Sequence, residues 1–396
     1  MSRIVVTGMG IISALGNNLG ENRESLRKEH SGIGTIQFYP TAYAGKLPAA
    51  EVPYSNQDLM NRISILPSPT LTRTSLLALI AAEEAISDAA LSPDILSSDG
   101  TALVGATTVG GICLTEELFQ DAQAESQGSA WVEQYDYASV TLAVQQRFGI
   151  SGEVATINTA CSSSANSIAY GARLIRRGLA QRAIVGGAES LAKFTINGFN
   201  ALNILSTAPC APFDRDRNGL NLGEGAAFLV LEKEEDLHGR KAYAVYSGFG
   251  NKNDAYHPSS ISSEGDGPYL AMREAMESAG LFPADIGYIN AHGTGTENND
   301  ETESRAMLRL FDQPPAFSST KSYTGHTLGA SGAIEAVYSV LNLFYQEVYG
   351  SLCFRNPIPS TGLVPVRHTD AARLRHVMSN SFGFGGNCSS LIFSSC

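Results

Sequence analysis

Residues 327–345, TLGASGAIEAVYSVLNLFY, carry one charge, that of Glu335, and are otherwise largely small or apolar on every face of a helix. A helix without a polar face is buried on all sides, so this run predicts a core helix. A second small-residue run, SSSANSIAYGARLI at 162–175, follows Cys161 as the first run follows His326. We therefore predict two central helices whose first turns, beginning at Cys161 and near His326, meet at one pocket.

The two helices belong to a longer repeat. The strand and turn at residues 4–10 return at 244–250, the helix pattern at 81–96 returns at 271–286, and the strand at 227–231 returns at 390–393. Repeats that keep one order indicate an internal duplication, with larger insertions in the first half at roughly 15–70 and 110–145. We predict an α/β protein folded as a duplicated five-layered αβαβα sandwich, with halves at 1–240 and 241–396.

The composition excludes several classes of protein. A formal charge of −12 over 396 residues argues against a nucleic-acid partner, and the apolar runs are too short to span a bilayer. The six cysteines form no C-x-x-C pair, which argues against a zinc or redox motif and against a disulfide framework. The opening residues MSRIVVTGMG indicate a strand and not a leader, so we predict a soluble, cytoplasmic protein.

One basic cluster could receive an acidic partner: Arg173, Arg176, Arg177 and Arg182. These charges could equally be the solvated C-terminal end of a helix, where cations complement the helix dipole. The sequence alone leaves both interpretations open.

Cys161 stands between a strand-like run, residues 153–157, and a serine-rich helix start. A buried structural cysteine is the ordinary interpretation of such a residue. The position also suits a nucleophile, because the free amides and the dipole of a helix start stabilise a thiolate and lower the pKa of the thiol. The remaining cysteines lack this setting: Cys113, Cys210, Cys353, Cys388 and Cys396.

Two histidines occupy turns of the predicted second half, His292 in NAHGTGT and His326 in STKSYTGH. Each could be a structural histidine, but two at equivalent-looking turns favour catalysis. Neither has a second ligand at i+2 to i+4, so we predict no metal. Lys321 and Glu335 are expected to pair, because a buried carboxylate needs a partner, and to orient the neutral form of His326. A purely structural ion pair is the alternative.

Residues 380–387, NSFGFGGN, form a glycine-rich turn between two predicted strands. Such glycines could hold a phosphate, but no helix follows them and no G-x-x-x-x-G-K-[ST] motif occurs. A mobile loop fits better. In that interpretation the Phe384 amide joins the Cys161 amide as an oxyanion hole, and the Phe384 ring acts as a gate.

Five motifs occur in one order over essentially the whole chain: TACSSS, GLNLGEGAAFLVLE, NAHGTGT, STKSYTGH and NSFGFGGN. Together they resemble the β-ketoacyl-acyl-carrier-protein synthases of the two-histidine, elongating type, which act in fatty-acid, polyketide and aryl polyene synthesis. The resemblance implies the thiolase-type duplicated fold, in agreement with the internal repeat. It also implies an acyl carrier protein as partner, and a homodimer or a heterodimer with a related ketosynthase-like subunit.

The resemblance assigns the catalytic roles residue by residue. Cys161 is expected to accept the acyl chain as a thioester. His292 and His326 are expected to bind the malonyl thioester carbonyl and support loss of carbon dioxide, and Lys321 and Glu335 to order His326. The reaction is a decarboxylative Claisen condensation, which requires neither a metal nor a redox cofactor.

The same resemblance extends to the substrate side of the site. Phe384 is the expected gate and part of the oxyanion hole. Further substrate-binding residues are expected in the pantetheine channel and the two mobile loops: Thr294, Thr296, Asp254, Gly383 and Gly385.

The chain departs from the family pattern at three places. The basic carrier-docking segment is replaced by NRISILPSP at 61–69, the arginine before Pro-Phe-Asp by Ala211, and Thr-Asn after the glycines by Asn387-Cys388. These departures favour a specialised polyketide or aryl polyene pathway over housekeeping fatty-acid elongation.

Two other functions remain open at this point. A non-catalytic chain-length-factor-like partner would lack the nucleophile, and Cys161 with both histidines argues against it. A thiolase would place a second active cysteine near the C-terminus, where Cys388 lies, but would not show the two-histidine set with Lys321.

Overall fold

The computed structural model describes residues 2–66, 71–124, 129 and 131–396. Residues 67–69 of the segment compared with the carrier-docking region lie outside these ranges, and so does part of the second insertion. Across the described ranges, no helix combines the length and the apolar character needed to cross a membrane. The cytoplasmic location stays a prediction from the sequence.

The strands alternate with helices along most of the chain. The strands are β1 Ile4–Ser13, β2 Thr101–Ala106, β3 Val154–Ile157, β4 Arg182–Glu189, β5 Gly225–Lys233, β6 Ala244–Asn253, β7 Tyr288–Asn290, β8 Ala316–Ser318, β9 Glu347–Val348, β10 Asp370–Ala371, β11 His376–Phe382 and β12 Asn387–Ser394. The helices are α1 Leu19–Arg27, α2 Asn56–Arg62, α3 Arg73–Asp88, α4 Pro93–Leu96, α5 Thr115–Ala124, α6 Val132–Tyr135, α7 Ala138–Phe148, α8 Ser163–Arg176, α9 Lys193–Ala201, α10 Asp266–Ala279, α11 Glu297–Leu310, α12 Lys321–Thr324 and α13 Ser331–Tyr345.

Ten of the strands form one sheet in the order β3-β2-β4-β5-β1-β6-β12-β11-β7-β8. The order reads the same from both ends when each strand of the second half is matched with one of the first: β6 with β1, β7 with β2, β8 with β3, β11 with β4 and β12 with β5. The two sets meet where β1 pairs antiparallel with β6, at Val5 opposite Val245. This palindromic order is the signature of the predicted duplication. The boundary between residues 240 and 241 stays a prediction.

The layers follow from which helix packs on which face of the sheet. Helices α8 and α13 lie between the two sets of strands, α8 against β4 and β2 and α13 against β11 and β5. On the outside, α3 and α7 cover the first set, while α10 packs on β6 and β12 and carries α11. The predicted five-layered αβαβα sandwich is therefore confirmed.

The two central helices approach closely because small residues line their contact. A Cβ built on Gly332 of α13 would lie 2.7 Å from the Ala165 amide of α8, so this position admits no side chain. The backbone N–H of Ala333 donates to Ser164 Oγ at 2.8 Å, which joins the first turns of both helices. Residues 327–343 are buried, as predicted, but the last two residues of the predicted core run are not, because Phe344 is 39% and Tyr345 44% exposed.

Helix α8 differs from α13 in one respect. Its positions 166, 170 and 173, spaced at helical intervals, are at least partly exposed and form a stripe along one face. Within the basic cluster, Arg182 pairs with Glu232 at 3.6 Å and the Arg176 guanidinium lies 5.3 Å from the Tyr246 ring centre. The cluster lies at the end of α8 remote from Cys161, and its role as a partner site stays a prediction.

Candidate active site

Cys161 lies on the turn that joins β3 to α8. Ala160 has a φ of 53°, in the left-handed region, and this sharp turn ends the strand just before the cysteine. The Ser163 hydroxyl accepts a hydrogen bond from the Thr159 N–H at 2.9 Å and so braces the turn from the first residue of α8. The thiol is buried at the helix start, as the sequence predicts.

Burial changes the expected chemistry of this thiol. The backbone N–H groups of Phe384 and of Cys161 itself donate to the sulfur, and the positive charge of Lys321 also favours the thiolate. Loss of solvation nevertheless outweighs them and raises the pKa of Cys161 to about 11. The prediction that the helix start lowers this pKa is therefore wrong in net direction, although the amide donors it invoked are present.

The glycine-rich loop reaches Cys161 because Gly383 has no side chain. A Cβ at Gly383 would lie 2.9 Å from the Thr159 carbonyl oxygen and 3.1 Å from the Cys161 nitrogen. The next residue, Phe384, directs its amide at the sulfur. Its ring is 37% exposed and stacks on Phe199 of α9, with centroids 5.8 Å apart and planes 13° apart.

The two predicted histidines converge on the same place. The ring centroids of His292 and His326 are 5.3 Å apart, and both side chains are buried. The Leu328 N–H donates to His326 Nδ1 at 3.2 Å, so the proton of neutral His326 sits on Nε2. Lys321 Nζ lies 3.3 Å from His292 Nδ1 and can only donate, which places the His292 proton on Nε2 as well.

Lys321 and Glu335 form a buried ion pair, as predicted. The pair does not contact the histidine that the sequence analysis named, because Lys321 Nζ bonds to His292 while a backbone amide orders His326. The reason is topological. Lys321 begins a short helix, α12, that turns the chain, so a residue close in sequence to His326 reaches the partner ring instead.

Both imidazoles are held neutral. Loss of solvation is the largest cause and the Lys321 charge the next, and together they lower the pKa of His292 and of His326 well below the ordinary value. Each ring therefore offers an uncharged Nε2–H donor. Such donors suit a substrate oxygen that gains negative charge during a reaction.

A second acidic residue behind the site escaped sequence analysis. Glu303 of α11 accepts the backbone N–H groups of His292 and Gly293, each at 2.9 Å, and also contacts Asn380 Nδ2 at 3.1 Å. Complete burial raises its pKa to about 7. Nothing in the acidic stretch ENNDETES distinguishes Glu303, because its burial depends on strands that are distant in sequence.

A cavity of about 590 Å³ opens beside Cys161. The predicted residues that line it are Cys161, His292, Thr294, Thr296, His326, Gly383 and Phe384. Lys321 and Glu335 lie behind His292 and outside the cavity lining. Thr294 Oγ1 and Thr296 Oγ1 are 2.9 Å apart and so form one polar patch on the wall.

Two predicted substrate-binding residues do not line this cavity. Asp254 accepts the N–H groups of Ser262 and Gly267, each at 2.7 Å, and thereby closes the loop that carries the cavity residues Ser259 and Ser260. Gly385, with a φ of 82°, donates its N–H to the Pro258 carbonyl at 2.7 Å. Both therefore act on loop structure in this conformation and do not touch the cavity.

Several lining residues were not predicted from the sequence. They are Phe199, Leu202, Asn203, Ile204, Arg217, Asn218, Gly219, Leu220, Ser259, Ser260, Ile261, Glu297, Asn298, Asn299 and Phe382. Most lie in loops or at helix ends, where no periodic pattern marks a residue that faces a cavity.

Cys161, His292 and His326 also have the donor set of a metal site. Their ligand atoms all lie within 4.8 Å of one another, and cysteine with two histidines is a plausible zinc set. The Lys321 ammonium, 3.3 Å from His292 Nδ1, opposes a divalent cation at this position. The arrangement therefore fits catalysis by a nucleophile and two neutral donors better than metal binding.

Comparison with known proteins agrees with this geometry. Residues 1–237 match the family model "Beta-ketoacyl synthase, N-terminal domain", and residues 243–355 match "Beta-ketoacyl synthase, C-terminal domain". The 3-oxoacyl-[acyl-carrier-protein] synthase 2 of Staphylococcus aureus (strain COL) is 34% identical over 413 aligned residues, which cover 99% of this chain and 98% of that protein.

Solved structures give the same result. The ishigamide ketosynthase/chain length factor superposes with a TM-score of 0.93 at 30% identity, over 100% of this chain and 99% of that one. A β-ketoacyl synthase from Burkholderia phymatum STM815 superposes with a TM-score of 0.88 at 30% identity, over the whole of both chains. The fold is thus the thiolase-like ketosynthase fold that the sequence motifs implied, and the chain belongs to the β-ketoacyl synthase family.

Proposed function

We propose that the protein is a 3-oxoacyl-[acyl-carrier-protein] synthase that condenses a malonyl carrier with an acyl chain held on Cys161. One observation carries the proposal: a buried thiol with two amide donors shares a cavity with two neutral Nε2–H donors. The first pair suits a tetrahedral oxyanion at a thioester on Cys161. The second pair suits the enolate oxygen of a decarboxylated malonyl thioester.

The first half-reaction is a thioester exchange. Cys161 sulfur attacks the acyl carrier thioester, and the amides of Cys161 and Phe384 bind the oxyanion that forms. Collapse breaks the bond to the pantetheine sulfur, which takes the proton that the Cys161 thiol gives up. The exchange needs no net acid or base, because the proton that leaves the Cys161 thiol ends on the pantetheine sulfur.

The second half-reaction forms the carbon–carbon bond. A malonyl thioester loses carbon dioxide, and the electron pair of the broken bond becomes an enolate whose oxygen accepts hydrogen bonds from His292 and His326. The enolate carbon attacks the Cys161 thioester carbonyl and gives a 3-ketoacyl carrier. The Cys161 thiolate leaves and is reprotonated from solvent.

Acylation of the purified protein tests the proposal directly. Incubation with an acyl carrier thioester should add one acyl mass to the intact protein, and the modified peptide should contain Cys161. A panel of acyl groups of different length and saturation then identifies the preferred chain. An unmodified protein, or an adduct on another cysteine, would contradict the proposed function.

We further propose a specialised polyketide or aryl polyene pathway. Support comes from Ala211 and Asn387-Cys388, which differ from the pattern of elongating fatty-acid enzymes, and from the likeness to a ketosynthase/chain length factor. A preference of Cys161 for polyunsaturated or polyketone chains over saturated ones in the same panel is the expected result.

We also propose that the protein works as one of two ketosynthase-like subunits. Strand β3 ends the sheet with all four residues half-buried, and no described segment pairs with its outer side. An open edge strand is a ready template for pairing with another chain. At the opposite end of the sheet, the Val366 N–H donates a hydrogen bond to the Phe317 carbonyl of β8 at 2.8 Å, so that edge strand is partly paired already. Light scattering separates a homodimer from a chain that dimerises only with a related subunit.

The rim of the cavity suggests how the carrier protein docks. Among the described segments that line the cavity and the helices that carry them, the cations are already paired: Lys193 with Glu116, Arg215 with Asp216, Arg217 with Asp300, Arg305 with Glu264 and Glu301, and Arg309 with Asp266. Large apolar side chains are exposed on these same segments: Phe194 is 65% exposed, Leu202 51% and Tyr256 65%. Apolar contact is therefore the main source of affinity that this rim offers.

Acyl transfer from the carrier should accordingly depend weakly on salt. Between about 0.1 and about 1 M salt, where the Debye length falls from ~10 Å to ~3 Å, we expect kcat/KM to change by less than about threefold. Phe194→Ser, at a residue of α9 that is 65% exposed and outside the cavity lining, should lower kcat/KM for the carrier-bound substrate but not for a small thioester lacking the carrier. Leu179→Ser, on an exposed loop after α8, is the matched control. A steep fall with salt would show that free cations dock the carrier.

A further inference from the structure

Asn387 follows the glycine-rich loop and makes contacts that its place in a strand does not require. It is the first residue of β12 and one of the positions at which the chain departs from the family motif. Its carbonyl oxygen accepts the Gly383 N–H at 2.8 Å and so closes the loop that carries Phe384. Its side chain points away from that bond, toward the turn that carries Cys161.

The Asn387 side-chain oxygen is a shared acceptor for three segments. Ser162 Oγ lies 2.6 Å from it, Asn166 Nδ2 3.0 Å and Asn251 Nδ2 3.0 Å. Ser162 is the neighbour of Cys161, Asn166 lies on the first turns of α8, and Asn251 lies on β6. One amide thus joins the nucleophile turn, the central helix and the sheet to the end of the loop.

The cluster is tied further by bonds among its members. Asn251 Nδ2 lies 2.9 Å from Asn166 Oδ1 and 2.8 Å from Ser389 Oγ, and Asn166 Nδ2 lies 2.7 Å from Thr159 Oγ1. Thr159 precedes the left-handed turn at Ala160. A change at Asn387 therefore alters both sides of the joint between the loop and the nucleophile turn.

We propose that Asn387 is a positioning residue that sets the spacing of the oxyanion hole, an inference that rests on the proposed function. The hole needs one amide from the nucleophile turn, at Cys161, and one from the loop, at Phe384. Asn387 is the residue that bonds both segments at once, by its carbonyl to Gly383 and by its side chain to Ser162. This role requires a side chain at position 387 that is as long as asparagine and ends in a hydrogen-bond acceptor.

The mechanism separates this role from a merely structural one. Acyl transfer to Cys161 uses the amide pair, whereas malonyl decarboxylation uses the imidazole pair. Complete loss of one oxyanion-hole donor lowers the reaction rate by about 10²-fold or more. A shift of the Phe384 amide should therefore slow acyl transfer and leave decarboxylation unchanged, while general unfolding would lower both.

The test compares Asn387→Leu, which keeps the size and removes the acceptor, with Asn387→Asp, which keeps the acceptor. We expect Asn387→Leu to slow acyl transfer by about tenfold or more and to leave malonyl decarboxylation within about twofold of the unsubstituted protein. Asn387→Asp should keep acyl transfer within about threefold. An equal loss in both variants, an equal loss of both activities, or no loss in Asn387→Leu would overturn the proposal.

Two further variants keep the test informative if Asn387→Leu folds poorly. Ser162→Ala removes the nearest donor and should slow acyl transfer by a smaller factor. Combined with Asn387→Leu it should slow acyl transfer no further, because the two substitutions remove the same contact between Ser162 and Asn387. Asn342→Leu, at a buried asparagine of α13, is the matched control and should lower the melting temperature without a selective loss of acyl transfer. Acyl transfer by the unsubstituted protein tests the proposed function separately.

Discussion

Cys161→Ala should abolish condensation and leave malonyl decarboxylation measurable. Cys161 is the acceptor of the acyl chain in the proposed mechanism, so without its sulfur no thioester can form, and we expect the condensation rate to fall by roughly 10⁴-fold or more. The His292 and His326 rings do not depend on that sulfur for their tautomers, which Lys321 and the Leu328 amide set. Carbon dioxide release from a malonyl carrier in the absence of an acyl donor measures the remaining half-reaction.

The pH dependence of this variant provides an internal check. Free histidine titrates near pH 6.5, but burial and Lys321 lower the pKa of both rings. As pH falls, each ring stays a neutral Nε2–H donor until the pH reaches its lowered pKa. In Cys161→Ala/Glu303→Gln, which lacks the Glu303 carboxyl whose pKa burial raises to about 7, decarboxylation should therefore stay flat between about pH 6 and about pH 8. A loss centred near pH 6.5 would show that a ring with an ordinary pKa carries the step.

Cys388→Ala is the matched control for the nucleophile. Cys388 is buried against Ile261, Ala271 and Phe382, and Cys161 and Cys388 are the cysteines near the glycine-rich loop. We expect this variant to retain condensation. If Cys388→Ala lost activity as Cys161→Ala does, a thiolase-type mechanism with two cysteines would replace the proposed one.

The fold could be predicted from the sequence because the duplicated halves repeat the same patterns of strands and helices. The strand at residues 4–10 and its copy at 244–250 became β1 and β6, which lie side by side in the sheet. Helix α13 was recognisable because a helix buried on every side can carry few polar residues, whatever packs around it. The turn at Cys161 was recognisable because a strand, a cysteine and a serine-rich helix start follow one another directly.

The details of the site depend on contacts that sequence order does not report. Lys321 lies five positions from His326 but bonds to His292, because α12 reverses the chain between them. The pKa of Cys161 depends on its burial and on the backbone amide of Phe384, more than 200 positions away along the chain. The Asn387 cluster likewise joins four separate segments, and no local pattern shows that these segments meet.

Lys321→Met should have the second large effect, and it should act on both stability and catalysis. Removing the ammonium leaves the Glu335 carboxylate buried without its partner, which costs about 3 to 5 kcal/mol in the free energy of unfolding. It also removes the donor that keeps the His292 proton on Nε2, and we expect malonyl decarboxylation to fall by about 10²-fold or more. Chemical denaturation and carbon dioxide release measure the two effects in one preparation.

A second substitution separates the two effects. In Lys321→Met/Glu335→Leu the unpaired carboxylate is gone, and replacing a buried ion pair by apolar side chains is often neutral or stabilising. The free energy of unfolding should therefore return to within about 1 kcal/mol of the original value, while decarboxylation stays low because His292 still lacks its partner. If the double variant recovered decarboxylation together with stability, the ion pair would be purely structural. Recovery of stability alone would show that Lys321 supports decarboxylation through its effect on the histidines and not only as the partner of Glu335.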